Sequence, residues 1–125
     1  MTYGLMRVVA LGLATLGAAP VAAEHGPVGH YTARLSARDH FNSSGVRLTT
    51  VAAIIRQDRA NVHRFGLIDG EDQPDNFFGV AQNRASLERL LARGSMGPGV
   101  ARAIVNGEPL IHVDIYPGYV VVTVL

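Results

Sequence analysis

Asp58 and His63 stand five residues apart in the stretch "IIRQDRANVHRFG", residues 54–66, and offer a carboxylate and an imidazole for acid–base chemistry. Asp58, however, projects from the middle of an apolar helical stripe, where an unpaired charge would cost too much desolvation energy. We therefore favour a buried ion pair or a capping carboxylate over a catalytic acid. Asp58 and His63 remain the candidate catalytic residues. The candidate arginine partners of Asp58 are Arg34, Arg38, Arg47 and Arg84.

A basic face is predicted on the same helix, because Arg56, Arg59 and His63 recur at helical spacing. Arginine is enriched at the energetic centres of interfaces. These three residues therefore form the candidate partner surface, for a protein or for an anionic component of the cell envelope. The alternative is that an acidic loop of the same domain neutralises them.

That loop, "DGEDQPDN", contains Asp69, Glu71, Asp72 and Asp75, which are the candidate metal ligands. Calcium binds six to eight oxygen atoms, and alternate acidic residues on a tight loop can supply several. The loop departs from an EF-hand, because Pro74 stands where the invariant glycine should be and no glutamate closes the site. We favour a solvated acidic turn and no cofactor, with calcium as the alternative.

The spacing of the histidines in the sequence does not indicate an assembled metal site. His25 and His30 lie in or beside the leader, without the spacing of a helical metal motif. His112 and Asp114 place two ligands on one face of a strand, but two ligands do not make a site. We interpret the histidines as structural or incidental.

Nucleophilic and phosphate chemistry have even less support. The chain has no cysteine and no G-x-S-x-G elbow. The glycines of "GSMGPG" follow a predicted helix instead of a strand, so they indicate a turn between helices and not a phosphate cradle.

The helix that positions Asp58 should begin with Thr49 or Thr50 as N-cap and end at Gly66. At 100° per residue, its apolar side chains share one stripe. They are Leu48, Val51, Ile54, Ile55, Val62 and Phe65. A loop without clean periodicity follows, pinned at its far end by Phe77 and Phe78.

Two shorter helices come next, one capped by Asn83 and running to Gly94, the other starting near Pro98 and closed by Gly107. Strands should flank this helical region. Residues 31–37 alternate as a half-buried strand, and "LIHVDIYPGYVVVTVL" predicts a hairpin around Pro117-Gly118. Pairing Tyr116 with Tyr119 places six aliphatic residues on one face.

The first residues have the three-part pattern of a secretory signal peptide: Arg7, an apolar run from Val8 to Ala18, and small residues up to Ala23. The apolar stretch is shorter than the ~20 residues that span a bilayer. We expect cleavage after Ala23, a loose leader over 24–29 and one domain over 30–125.

Charge and cysteine content narrow the class of protein. Loss of Arg7 with the leader leaves ten arginines against ten acids, so a neutral domain gives no reason to expect nucleic acid or membrane as a partner. The absence of cysteine in an exported chain favours a bacterial periplasm or medium.

These patterns together predict an α+β domain: a small antiparallel sheet with a C-terminal hairpin, packed on one longer and two short helices. For function we expect an exported, non-enzymatic binding or interaction domain. The alternative is a metal- or carboxylate-dependent hydrolase that uses Asp58, His63 and the acidic loop. That alternative requires Asp58 to open into a cleft.

Overall fold

The computed structural model describes residues 26–125. Its elements are β1 Gly29–Arg34, a 3₁₀ turn Ala37–His40, α1 Val51–Ala60 with a π-helical end Asn61–Phe65, α2 Ala81–Ala85, α3 Leu87–Arg93, β2 Ser95–Met96, α4 Val100–Asn106, β3 Leu110–Tyr116 and β4 Tyr119–Val124. This is the α+β class that the sequence predicts. The predicted signal peptide, residues 1–23, lies outside the described residues. Within residues 26–125, no helix is long and apolar enough to cross a membrane.

The sheet has the strand order β1-β3-β4-β2. The β3–β4 hairpin has the predicted register, with Tyr116 opposite Tyr119 and Val113 opposite Val122. β1 also pairs antiparallel with β3. The two-residue β2 pairs parallel with β4, so the sheet is mixed and not purely antiparallel. Helix α4 and strand β3 lie between β2 and β4 and provide the long connection that a parallel pair needs.

One face of the sheet forms the core with the helices. Its inward side chains are at most 1% exposed: Tyr31, Ala33, Leu35, Ile111, Val113, Ile115, Val120 and Val122. Helix α1 contributes Ile54 and Ile55 to the same cluster, and α4 contributes Ile104. The alternate side chains of the strands are half-buried or exposed, as the two-residue period of a strand requires.

Helix α1 has both predicted ends. The Thr50 hydroxyl accepts a hydrogen bond from the Ala53 N–H, and Gly66 adopts the left-handed conformation with φ of 68°. Phe65, predicted on the apolar stripe, is instead 44% exposed. The last turn is π-helical, and its wider winding moves the final residues around the helix axis.

The region after the long loop also differs in detail. One helix beginning at Asn83 was expected, but α2 already starts after Val80, and Ser86 separates it from α3. The predicted end at Gly94 is confirmed. A Cβ atom there would lie only 1.7 Å from the Val120 carbonyl oxygen, so only glycine fits.

The loop predicted over residues 66–82 ends two residues earlier, because α2 begins at Ala81, and it covers the outer edge of β1. The Gln73 N–H donates to the Thr32 carbonyl oxygen, and the Thr32 N–H donates back to the Gln73 side chain. One pleat further, the Arg34 N–H donates to the Asp72 carboxylate. The loop thus occupies backbone groups that an edge strand would otherwise expose.

Candidate functional site

Asp58 lies in a buried ion pair, as favoured from the sequence, but its partner is Arg59 and none of the four candidate arginines. The Arg59 Nε donates to Asp58 Oδ2 at 2.8 Å, and both side chains are 0% exposed. Arg59 was expected on an exposed basic face with Arg56 and His63. That placement is wrong, because Arg59 extends inward beside the apolar stripe.

The Arg59 guanidinium joins α1 to the long loop. Its NH1 group donates to Asp75 Oδ1 and to the Gln73 carbonyl oxygen, both at 2.9 Å. Its central carbon lies 3.8 Å from the centre of the Tyr31 ring, in cation–π contact. One arginine therefore contacts two carboxylates, a loop carbonyl and a core aromatic ring.

Asp75 is the most completely bonded carboxylate of this cluster. Its Oδ2 accepts the N–H groups of Phe77 and Phe78, while its Oδ1 accepts from Arg59 and lies 2.7 Å from His63 Nε2. The Phe77–Phe78 anchor predicted from the sequence is present, with Phe78 fully buried. Asp75 is thus a structural carboxylate that fastens the loop.

The pKa values of the two carboxylates shift in opposite directions, although burial acts to raise both. Burial raises the pKa of Asp58 well above its ordinary value, and the charge of Arg59 offsets only part of this rise. Burial also acts to raise the pKa of Asp75, but the Phe78 N–H and the other donors outweigh it and leave the pKa lowered. The donors around each carboxylate therefore decide the direction of its pKa: Asp75 has four, whereas Asp58 has Arg59 alone.

Three polar atoms of the cluster have no hydrogen-bond partner in the part of the chain that the structure describes: Tyr31 OH, Asp58 Oδ1 and one terminal nitrogen of Arg59. All are shielded from solvent. Burial also raises the pKa of Tyr31, so this phenol stays neutral. Asp58 therefore faces the core and not a cleft that a substrate could enter.

Three further buried polar residues, Asp39, His40 and Asn61, have structural roles. His40 bridges the Ser36 carbonyl oxygen, 2.8 Å from Nδ1, and the Ile104 carbonyl oxygen, 2.7 Å from Nε2. The Asn61 amide donates to Asp39 at 2.8 Å. These bonds hold the 3₁₀ turn against α4 and α1.

The carboxylates of the four candidate calcium ligands are occupied by other groups of the protein, Asp75 by the bonds described above. Glu71 pairs with Arg34 at 2.8 Å, Asp69 accepts from the Ser36 hydroxyl, and Asp72 accepts from backbone N–H groups. Across residues 26–125, no three His, Cys, Asp or Glu side chains are grouped as they stand to hold a metal ion. The acidic loop is therefore a hydrogen-bonded cover and not a preformed cation site.

The exposed side of α1 forms one wall of a groove of about 490 Å³. Arg56 and Arg64 of α1 face Arg84 and Glu88 of α2 and α3 across it, and Phe65 lies among the lining residues. Alanines line much of the remainder: Ala52, Ala53, Ala60, Ala81 and Ala85. Of the predicted basic face, only Arg56 lies in this groove.

The groove has an excess of positive charge. Among the described residues, none of its three arginines has a carboxylate within 4.0 Å. Arg84 is nearly buried and donates to the Phe78 and Gly79 carbonyl oxygens, while Arg56 and Arg64 are exposed. Glu88 is the one acid lining the groove.

Comparison with models of protein families, with curated proteins and with solved structures finds no match for this chain. The functional argument therefore rests on residues and geometry.

The sequence did not predict that the Arg59 side chain extends into the interior, or that Arg64 and Arg84 line the same groove. A signal existed for Arg59, because it follows the buried Ile55 by four residues and so lies at the border of the apolar stripe. No such signal existed for Arg84, because its helix was predicted to begin with Asn83 as the cap, directly before it.

Proposed function

We propose that the protein is an exported, non-enzymatic binding domain whose groove between α1 and the α2–α3 pair binds an acidic segment of a protein partner. The observation that supports it is the set of three arginines without carboxylate partners around a groove with one acid. Guanidinium groups bind carboxylates through paired hydrogen bonds, and alanine walls leave room for an extended chain.

The chemistry of the groove differs from that of an active site. Its lining is mainly arginine, alanine and uncharged polar side chains with the partly exposed Phe65, and no imidazole is among the lining residues. Its hydroxyl groups are those of Ser43 and of Thr50, and Thr50 is engaged as the N-cap of α1. Arginine and aromatic side chains are the usual energetic centres of protein interfaces. These features favour recognition over turnover.

The hydrolase alternative has less support. It requires Asp58 to open into a cleft, whereas Asp58 is 0% exposed and paired with Arg59. His63 contacts Asp75, whose other oxygen is occupied by two backbone N–H groups. A water nucleophile would have no solvent-accessible carboxylate in this cluster to activate it, because the Asp58 and Asp75 side chains are both 0% exposed.

Export is part of the proposal and depends on the N-terminal pattern alone. Arg7, the apolar run and the small residues ending at Ala23 match a cleaved leader. A domain without cysteine suits a bacterial periplasm or medium. Mass determination of the chain recovered from the periplasm or medium of an expressing bacterium tests cleavage after Ala23.

Binding can be measured with a fluorescein-labelled poly-glutamate peptide by fluorescence anisotropy. We expect the double variant Arg56→Ala/Arg64→Ala to weaken binding about tenfold or more, because it removes both exposed cations of the groove. Raising the salt concentration should weaken binding of the unaltered protein as well.

The charge-matched control is Arg89→Ala/Arg102→Ala, which removes two exposed arginines that do not line the groove. Equal loss in both double variants would mean that net charge, and not the groove, attracts the peptide. Binding to phosphatidylglycerol vesicles without binding to the peptide would favour an envelope component as the partner.

A further inference from the structure

The face of the sheet opposite the helices bears a compact group of polar side chains on β1 and β3. His30 lies directly opposite Asp114, and Thr32 lies opposite His112. Because side chains alternate along a strand, all four point to the same face. Directly opposed residues have Cβ atoms about 5 Å apart, so His30, His112 and Asp114 lie within reach of one another.

His112 and Asp114 already have the separation of two ligands of one ion. His112 Nε2 lies 3.2 Å from Asp114 Oδ1. In a tetrahedral zinc site with bonds of about 2.0 Å, neighbouring ligand atoms are about 3.3 Å apart. Both side chains are roughly 30% exposed, at 28% and 30%, so an ion can reach them from solvent.

The other nitrogen of His112 has an orienting partner. Nδ1 lies 3.2 Å from the Thr32 hydroxyl oxygen. Metal-binding histidines usually engage their second ring nitrogen in such a bond, which sets the tautomer and the direction of the ring. His112 thus presents Nε2 to the space that it shares with Asp114.

His30 is placed to provide a third ligand. Its ring centre is 5.5 Å from that of His112. Two histidines that bind one zinc ion through Nε2 have ring centres roughly 5 Å apart. His30 is exposed, so its ring can rotate toward Asp114 without displacing packed atoms.

We propose that His30, His112 and Asp114 form a zinc-binding site on the open face of the sheet, completed when the His30 side chain turns to join the other two. The three are not grouped around one point in the structure as it stands. His112 and Asp114 are preformed, and only the exposed ring of His30 has to move.

The ligand set favours zinc over a hard cation. Two imidazoles and one carboxylate suit zinc and other transition metals, whereas calcium and magnesium prefer oxygen ligands only. Three protein ligands leave a fourth position open in tetrahedral zinc. This site lies on the sheet layer, away from the helix-lined groove, and does not depend on the function proposed for that groove.

Isothermal titration of the full chain with Zn²⁺ tests the site. We expect one ion per chain at micromolar affinity or tighter. His30→Ala and Asp114→Asn should each weaken binding about 100-fold, and Thr32→Val about tenfold through its effect on His112 alone. Mg²⁺ and Ca²⁺ should not compete.

Thr123→Ala is the matched control, because Thr123 lies opposite His112 on the same face and is not a proposed ligand. It should bind zinc as tightly as the unaltered chain. The imidazole NMR signals of His30 and His112 should shift on zinc addition, and those of His40 should not. Unchanged affinity in His30→Ala, or no binding below millimolar zinc, would overturn the proposal.

Discussion

Arg56 and Arg59 belong to the same helix, three residues apart, yet they lie in opposite environments. Arg59 is 0% exposed and contacts Asp58, Asp75 and the ring of Tyr31. Arg56 is exposed in the groove, and within the described chain no carboxylate lies within 4.0 Å of it. Arginine is usually found at the surface, and Arg59 can be buried here because two carboxylates and an aromatic ring contact it.

Arg59 and Arg56 illustrate two roles of a positive charge, one buried and structural, the other exposed and available for binding. A buried guanidinium needs its counter-charges inside the fold, because desolvation would otherwise prevent burial. In this protein the buried Arg59 holds α1 and the loop that covers β1 together. An exposed guanidinium without a counter-charge contributes little to stability and leaves its binding capacity available.

The largest effect should come from removing the buried charge. Arg59→Met leaves Asp58 and Asp75 in the interior without their shared cation. We expect the free energy of unfolding to fall by about 3–5 kcal/mol, the usual cost of breaking a buried pair from one side. Urea unfolding followed by circular dichroism measures it.

Arg59→Lys provides the control for charge. Lysine keeps the cation but lacks the planar fork that bonds Asp58 and Asp75 together, so the loss should be intermediate. If Arg59→Met were as stable as the unaltered protein, the cluster would not hold the loop, and the contrast with Arg56 would disappear.

The next effect distinguishes the two carboxylates. Asp75→Asn should cost about 2–3 kcal/mol, because charge-assisted bonds to Arg59 and to two backbone N–H groups are weakened together. Asp58→Asn should cost clearly less, since burial already disfavours its charge and the amide oxygen can still accept from Arg59. Parallel unfolding curves of the two variants give the order, and the reverse order would contradict the roles assigned here.

The free energy of unfolding should also depend on pH, and each of the two Asp→Asn variants should remove one part of that dependence. The raised pKa of Asp58 contributes stability at low pH, which is lost as the pH rises through its pKa in the folded state. The lowered pKa of Asp75 contributes stability above about pH 4, which is lost as the pH falls through its folded value. The free energy of unfolding should therefore be highest at acidic pH, between the lowered pKa of Asp75 and the raised pKa of Asp58.

Urea titrations across this range separate the contributions. Asp58→Asn should flatten the decline on the alkaline side, leaving the smaller share from Asp39, whose pKa burial also raises. Asp75→Asn should flatten the decline on the acid side. A stability that rises steadily through neutral pH in the unaltered protein would contradict the raised pKa of Asp58.

Local pattern was enough to predict much of the fold. The alternation of Ile111, Val113 and Ile115 with Val120 and Val122 leaves one register that buries them all, and the structure has it. Thr50 and Gly66 mark the ends of α1 through local capping chemistry. The parallel pairing of β2 was missed, because two residues are too few to carry a period.

The candidate site was less predictable for a physical reason. The need of Asp58 for a cation follows from its position on the apolar stripe, but the identity of the cation depends on how far a long side chain can bend back. Arg59 reaches it from the next position, a geometry that helical spacing alone does not suggest. Its second partner, Asp75, is brought in by a loop without periodicity.

The smallest effect on stability should come from the groove, and it completes the comparison. Arg56→Ala removes an exposed cation with no carboxylate partner in the described structure, so the free energy of unfolding should change by less than about 0.5 kcal/mol. The same variant should weaken binding of the poly-glutamate peptide, which Arg59→Lys should leave nearly unchanged at temperatures where it is folded. If Arg56→Ala were instead destabilising, this arginine would have a partner within the fold, and the groove would lose the free charge on which its proposed role depends.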